Sequence, residues 1–94
     1  MPQTKQKPIP EYGQINNVKA LGALIRAFRK SQHLTLEKVS GLTNVSMRFL
    51  SELERGKETA EIGKALSTIN KLGLKVIVVP RYFNEDGLKK DEHI

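Results

Sequence analysis

Residues 34–56, LTLEKVSGLTNVSMRFLSELERG, admit few folds, because two helix-starting signals stand so close together that each helix must be short. Thr35 is placed to cap a first helix, with Glu37 in its opening turn, where a negative charge suits the positive end of the helix dipole. Val39 and Leu42 give that helix one apolar face. Asn44 follows, and asparagine tolerates the left-handed conformation that a sharp helix exit requires. Ser46 caps a second helix, whose Leu50 and Leu53 share one face, and Gly56 ends it. Two short helices with room between them only for a tight turn form a helix-turn-helix.

Composition narrows the remaining choices. Ninety-four residues allow one small domain with tails and leave no room for a separate catalytic domain. The chain has no cysteine, which excludes a disulfide framework and a thiolate metal site. His33 and His93 are its only histidines, and neither has a metal-binding partner at suitable spacing. Gly56-Lys57 and Gly63-Lys64 lack both the earlier glycine and the following Ser/Thr of a phosphate loop. The sequence therefore predicts no catalysis, no metal and no cofactor. Residues 1–17 lack the apolar centre of a signal peptide. The longest apolar run, residues 76–79, is far too short to span a bilayer, so a soluble cytoplasmic protein is expected.

The net charge of +6 is unevenly distributed. Residues 1–17 hold Lys5 and Lys7 against Glu11, and the last residues hold Lys89 and Lys90 against Glu85, Asp86, Asp91 and Glu92. Between them, twelve lysines and arginines face only Glu37, Glu52, Glu54, Glu58 and Glu61. The positive excess lies on the part expected to fold, as a polyanion-binding surface requires.

Residues 1–17, with three prolines and no helical period, read as a flexible N-terminal arm. Asn16 or Asn17 can cap a helix from about Val18 to Gln32, with Leu21, Leu24, Ile25 and Phe28 as its core-facing stripe. Arg26, Arg29 and Lys30 cluster toward its C-terminal end, which suits the dipole there. Beyond the helix-turn-helix, Thr59 is expected to cap a last helix running to about Leu72. Ile62, Ala65, Leu66 and Ile69 form its buried stripe and Gly73 stops it. Residues 18–73 thus make one domain.

The period then changes. LKVIVVP, residues 74–80, is rich in β-branched residues and bounded by Gly73 and Pro80, which predicts a strand. Every other apolar segment has helical spacing, so the chain offers this strand no partner. A lone strand leaves backbone donors and acceptors unpaired. Pairing with the same strand of a second copy answers that need and gives a homodimer, with Leu74, Val76, Ile77, Val78 and Val79 at the contact. The dimerisation strand is placed at 74–81 and a C-terminal tail at 82–94.

A helix-turn-helix presents its second helix to the major groove. With Leu50 and Leu53 facing inward, Met47, Arg48, Ser51 and Glu52 face outward as candidate base contacts. A guanidinium at Arg48 suits guanine. Glu52, one turn on, either accepts from a cytosine amino group or orients Arg48, and the two also fit an ordinary exposed i,i+4 pair. Thr35 and Ser46, at helix N-termini, together with Lys38, Arg55 and Lys57, are candidate phosphate contacts. Phe49 falls beside the outward face, against the arm or a partner. Arg29 and Glu54 read as an internal ion pair joining the first helix to the recognition helix.

These residues carry a resemblance. LGxxIRxxRK at 21–30, LTxEKV at 34–39 and VSxRxLSxLERGK at 45–57 resemble the Cro/CI-type (Xre-like) helix-turn-helix family. More narrowly, RFLSELERGK at 48–57, TAEIGKAL at 59–66, then LGL and a strand are similar to HipB-like antitoxins of type II toxin–antitoxin modules. Leu36 stands where the wider family often has a phosphate-contacting glutamine, and Asn44 replaces the more usual glycine of the turn. The resemblance implies a mainly α, lambda-repressor-like domain of four to five helices, with C-terminal strands paired across a homodimer. It implies a bacterial, nucleoid-associated repressor of its own operon that binds a palindromic double-stranded operator and neutralises a HipA-like serine/threonine kinase, single-chain or split. A stand-alone Xre-type repressor without a toxin is the alternative. The tail has no assignable pattern.

Overall fold

The computed structural model describes residues 12–82, which form four helices: α1 (Val18–Ser31), α2 (Leu36–Thr43), α3 (Met47–Glu54) and α4 (Ile62–Leu72). The arm and tail expected at the two ends lie mostly outside the described residues. Asn17 caps α1, its side chain accepting from the Ala20 amide at 2.8 Å. Thr35 and Ser46 cap α2 and α3 in the same way, from the Lys38 and Phe49 amides, each at 3.0 Å. Each cap satisfies an amide that the helix itself leaves unpaired. Asn44 leaves α2 at φ 62°, and the Ser40 hydroxyl donates to the Val45 carbonyl at 2.7 Å across the turn. The turn is closed at both ends by side-chain chemistry readable in the sequence.

Two apolar clusters hold the helices together. Ile25, Leu53, Ala65 and Ile69 join α1, α3 and α4, while Val39, Val45 and Leu50 join α2 to α3. Full burial of an aliphatic side chain of this size contributes about 1.5–3 kcal/mol. Phe49 and Leu72 pack against both clusters. Phe49 is therefore half-buried where the two clusters meet, a role that its place beside Arg48 conceals. Gly22 lets α1 press onto the end of α3, since a Cβ there would collide with the Leu53 carbonyl oxygen.

The fourth helix departs from expectation. It starts at Ile62 with Glu61 as its cap, the carboxylate accepting from the Lys64 amide at 2.7 Å, and Thr59 lies in the preceding loop. Glutamate is a less usual cap than threonine, but Ala60 packs on the core, and the helix starts two residues later than a Thr59 cap would place it. Ala65 and Ile69 are buried as expected, whereas Ile62 and Leu66 are exposed, and Thr68 takes the place they were given.

No strand is present among the described residues, so the expected strand at 74–80 is not formed in the single chain. A strand exists only through its ladder, and no other segment among the described residues supplies the second rung. Leu74 packs on the α1–α3–α4 cluster, whereas Val76, Ile77, Val78 and Val79 are exposed, Val78 to 91%.

Candidate nucleic-acid interface

The outward face of α3 is organised by one carboxylate. The Arg48 Nε donates to one oxygen of Glu52 at 3.2 Å and the Lys57 Nζ to the other at 3.0 Å. The chain turns back at Gly56, φ +85°, and the Lys57 amide donates to the Glu52 carbonyl at 3.0 Å, which brings the lysine beside the helix it follows. Hydrogen bonding from Lys57, then from Arg48, holds the Glu52 carboxyl below the usual glutamate range. Glu52 thus stays ionised at neutral pH with both oxygens engaged, while the Arg48 side chain remains 86% exposed. The expected i,i+4 pair is present and extends to a third residue.

The other expected base-facing positions differ among themselves. Met47 is exposed, but Ser51 is half-buried and its hydroxyl accepts from Arg55 Nη1 at 2.6 Å. Of the expected phosphate-facing residues, Lys38, Arg55 and Lys57 are exposed. The Thr35 and Ser46 hydroxyls are occupied as caps, so at those helix starts the free backbone amides are what remains for an anion.

Two grooves extend this face beyond the helix-turn-helix. One is bordered by Arg26, Lys30, Ser51 and Arg55, between α1 and α3, and the other by Lys30, His33, Thr35 and Met47. Arg26 and Lys30 had a sufficient local explanation at the negative end of α1, and no local signal shows that folding sets them beside α3. The element that does so is the Arg29–Glu54 pair, buried as expected. Arg29 donates from Nε and Nη2 to the two Glu54 oxygens at 2.7 and 3.0 Å, and from Nη1 to the Leu34 carbonyl at 2.7 Å. One guanidinium fixes α1, the start of the helix-turn-helix and the end of α3 together.

Residues aligning over 59 positions are 41% identical to the uncharacterized HTH-type transcriptional regulator y4mF of Sinorhizobium fredii, covering 63% of this chain and 78% of that protein. The chain belongs to the helix-turn-helix transcriptional regulators. Transcriptional regulator ClgR of Mycobacterium tuberculosis is 38% identical over 61 residues, and the regulator described here spans 54% of its length. In fold, the regulator is similar to HipB in the HipB–O4 20mer complex, with a TM-score of 0.69 at 11% identity over 74% of this chain and 99% of that one. No family model matches the sequence. The helix-turn-helix resemblance drawn from the motifs at 21–57 agrees with these relatives in sequence, and the HipB-like resemblance drawn from residues 48–74 agrees with HipB in fold.

Proposed function

We propose that this regulator binds a palindromic operator as a homodimer, represses its own operon and acts as the antitoxin of a HipA-like serine/threonine kinase. The observation that carries the DNA-binding part is the Arg48–Glu52–Lys57 network on the exposed face of α3. Arg48 is the base reader, suited to guanine, with Glu52 as the residue that aims it, and Met47 and Ser51 border the same base pairs. Lys38, Arg55 and Lys57 meet phosphates, as do the α2 and α3 amides beside Thr35 and Ser46. The dimer rests on the exposed apolar segment at 76–79, whose backbone becomes a strand when a second copy pairs with it. The antitoxin part rests on the motif order from 48 to 74 and on the likeness of fold to HipB. A stand-alone repressor is the second reading, favoured by relatives whose names describe transcriptional regulators.

The test is a mobility-shift series on DNA from the regulator's own upstream region, at increasing salt. A dimer that neutralises several phosphates loses affinity steeply, by roughly 0.9 log units per contact per decade of salt. Binding that stays flat with salt defeats the proposal. Co-expression with a neighbouring kinase-like reading frame separates the two readings. An Arg48→Ala protein that loses the operator yet still protects cells from the kinase is the outcome expected of an antitoxin.

A further inference from the structure

The starts of α2 and α3 share an apolar pair that the Arg48–Glu52–Lys57 network does not use. Met47, Ser51 and Arg55 stand in one file along α3, and all three border the grooves against α1 and α2, whereas Arg48 and Glu52 border neither. Met47, at the head of that file, shares its groove with Leu34 and Leu36. Leu36 is the first residue of α2, a place where polar and acidic residues are usual. It is half-buried: it packs on the cluster of Val39, Val45 and Leu50, which fixes it, and it also borders both grooves. Met47 is exposed, and its unbranched, polarizable side chain adapts to what it meets. Lys30 borders both grooves, and Arg26 and Arg55 border the second. Of the two carboxylates bordering them, Glu54 is held by Arg29 and Glu37 stands in the first turn of α2. The result is a fixed and an adaptable apolar residue side by side, edged by cations.

We propose that Leu36 and Met47 together read the 5-methyl group of a thymine, at or next to the base pair that Arg48 contacts. The inference rests on the DNA-binding reading above and adds Leu36 to its base contacts. The chemistry of the major groove selects the ligand. Adenine, guanine and cytosine present hydrogen-bonding edges there, and thymine adds a methyl group. Leu36 and Met47 have no donor for a base edge or a phosphate, so a polar group pressed against them loses water without a replacement. The methyl is the group that gains by leaving water. Glu37 repels a phosphate from the same groove, whereas Lys30, Arg26 and Arg55 supply the positive charge that the flanking phosphates need. 5-Methylcytosine carries the same methyl, and the test separates the two.

The test uses the full chain and the site located by footprinting in its own upstream DNA, at one fixed salt concentration. Each thymine of a half-site is replaced in turn by deoxyuridine, which keeps the base pairing and loses only the methyl. One thymine should respond, with affinity falling about fourfold for each half-site altered, as expected for one buried carbon. Met47→Ala and Leu36→Ala proteins should bind the thymine and deoxyuridine duplexes within about twofold of each other. Met47 is exposed, so its variant keeps the fold. Circular dichroism checks Leu36→Ala, and Leu36→Gln replaces it if helix is lost. With cytosine at the responsive position, its 5-methyl form should bind about fourfold more tightly than the plain base. Salt-dependent binding that is indifferent to every deoxyuridine overturns the thymine contact and leaves the DNA-binding reading standing. If cytosine methylation in the half-site then strengthens binding in the parent but not in Met47→Ala, the pair reads methylated cytosine instead. A methyl response that both variants keep in full also overturns the proposal. A parent that binds none of this DNA overturns both readings.

Discussion

Arg29 of α1 and Glu54 at the end of α3 meet as a buried two-pronged pair, Nε and Nη2 of the one on the two carboxylate oxygens of the other, at 2.7 and 3.0 Å. Because Arg29 also holds the Leu34 carbonyl, the pair sets the angle at which α3 leaves the body of the domain. Glu54→Ala strands a buried guanidinium and should cost about 3–5 kcal/mol in denaturant unfolding. Replacing both residues by apolar ones of similar volume should cost far less, which a double-mutant cycle reads directly.

Glu52 titrates below an ordinary glutamate because Lys57 and then Arg48 stabilise its charged form. A carboxyl depressed in the folded state contributes stability above its unfolded value and loses it as pH falls through the folded one. Carboxyl NMR titration should place Glu52 below an unperturbed glutamate. Lys57→Ala should raise it more than Arg48→Ala does, and the reverse order would contradict the geometry.

Arg48→Ala removes an exposed side chain, so unfolding should change little, by about 0.5 kcal/mol or less. If Arg48 reads a base pair, operator affinity should fall by about 1–3 kcal/mol and discrimination at that pair should relax. Lys57→Ala should weaken binding evenly across sequences and lower the salt slope by about one unit.

Gly22→Ala should destabilise by about 1–3 kcal/mol in thermal unfolding, since the added methyl meets the Leu53 carbonyl oxygen and, at 2.7 Å, that of Glu54. Gly41→Ala, where nothing lies within 4 Å, should instead be neutral or slightly stabilising.

What the sequence made legible was local. Asn17, Thr35 and Ser46 announce their helices because a cap acts on an amide three residues away, and Asn44 announces its turn through its own backbone preference. The Arg29–Glu54 pair was also readable, being two charges that had to enter the interior together. Features set by distant packing were hidden. Phe49 looks outward by periodicity yet joins two clusters, and Glu61 displaces Thr59 as a cap because of where Ala60 packs. Ile62 and Leu66 have the spacing of core residues, but spacing cannot show how much of an apolar arc the rest of the chain reaches. Arg26 and Lys30 reach the α3 groove only through the crossing of two helices far apart in sequence.

Phe49 and Leu72 belong to both apolar clusters, and this has a mechanical meaning. A helix packed on one cluster alone can loosen while the rest of the domain stays intact, but α3 cannot detach without opening both. Its amides should therefore exchange with solvent only through unfolding of the whole domain. The recognition helix behaves as a stiff probe, so under the proposed DNA-binding reading the fitting to a duplex falls to the long side chains of Arg48, Arg55 and Lys57 and to the bending of the duplex itself.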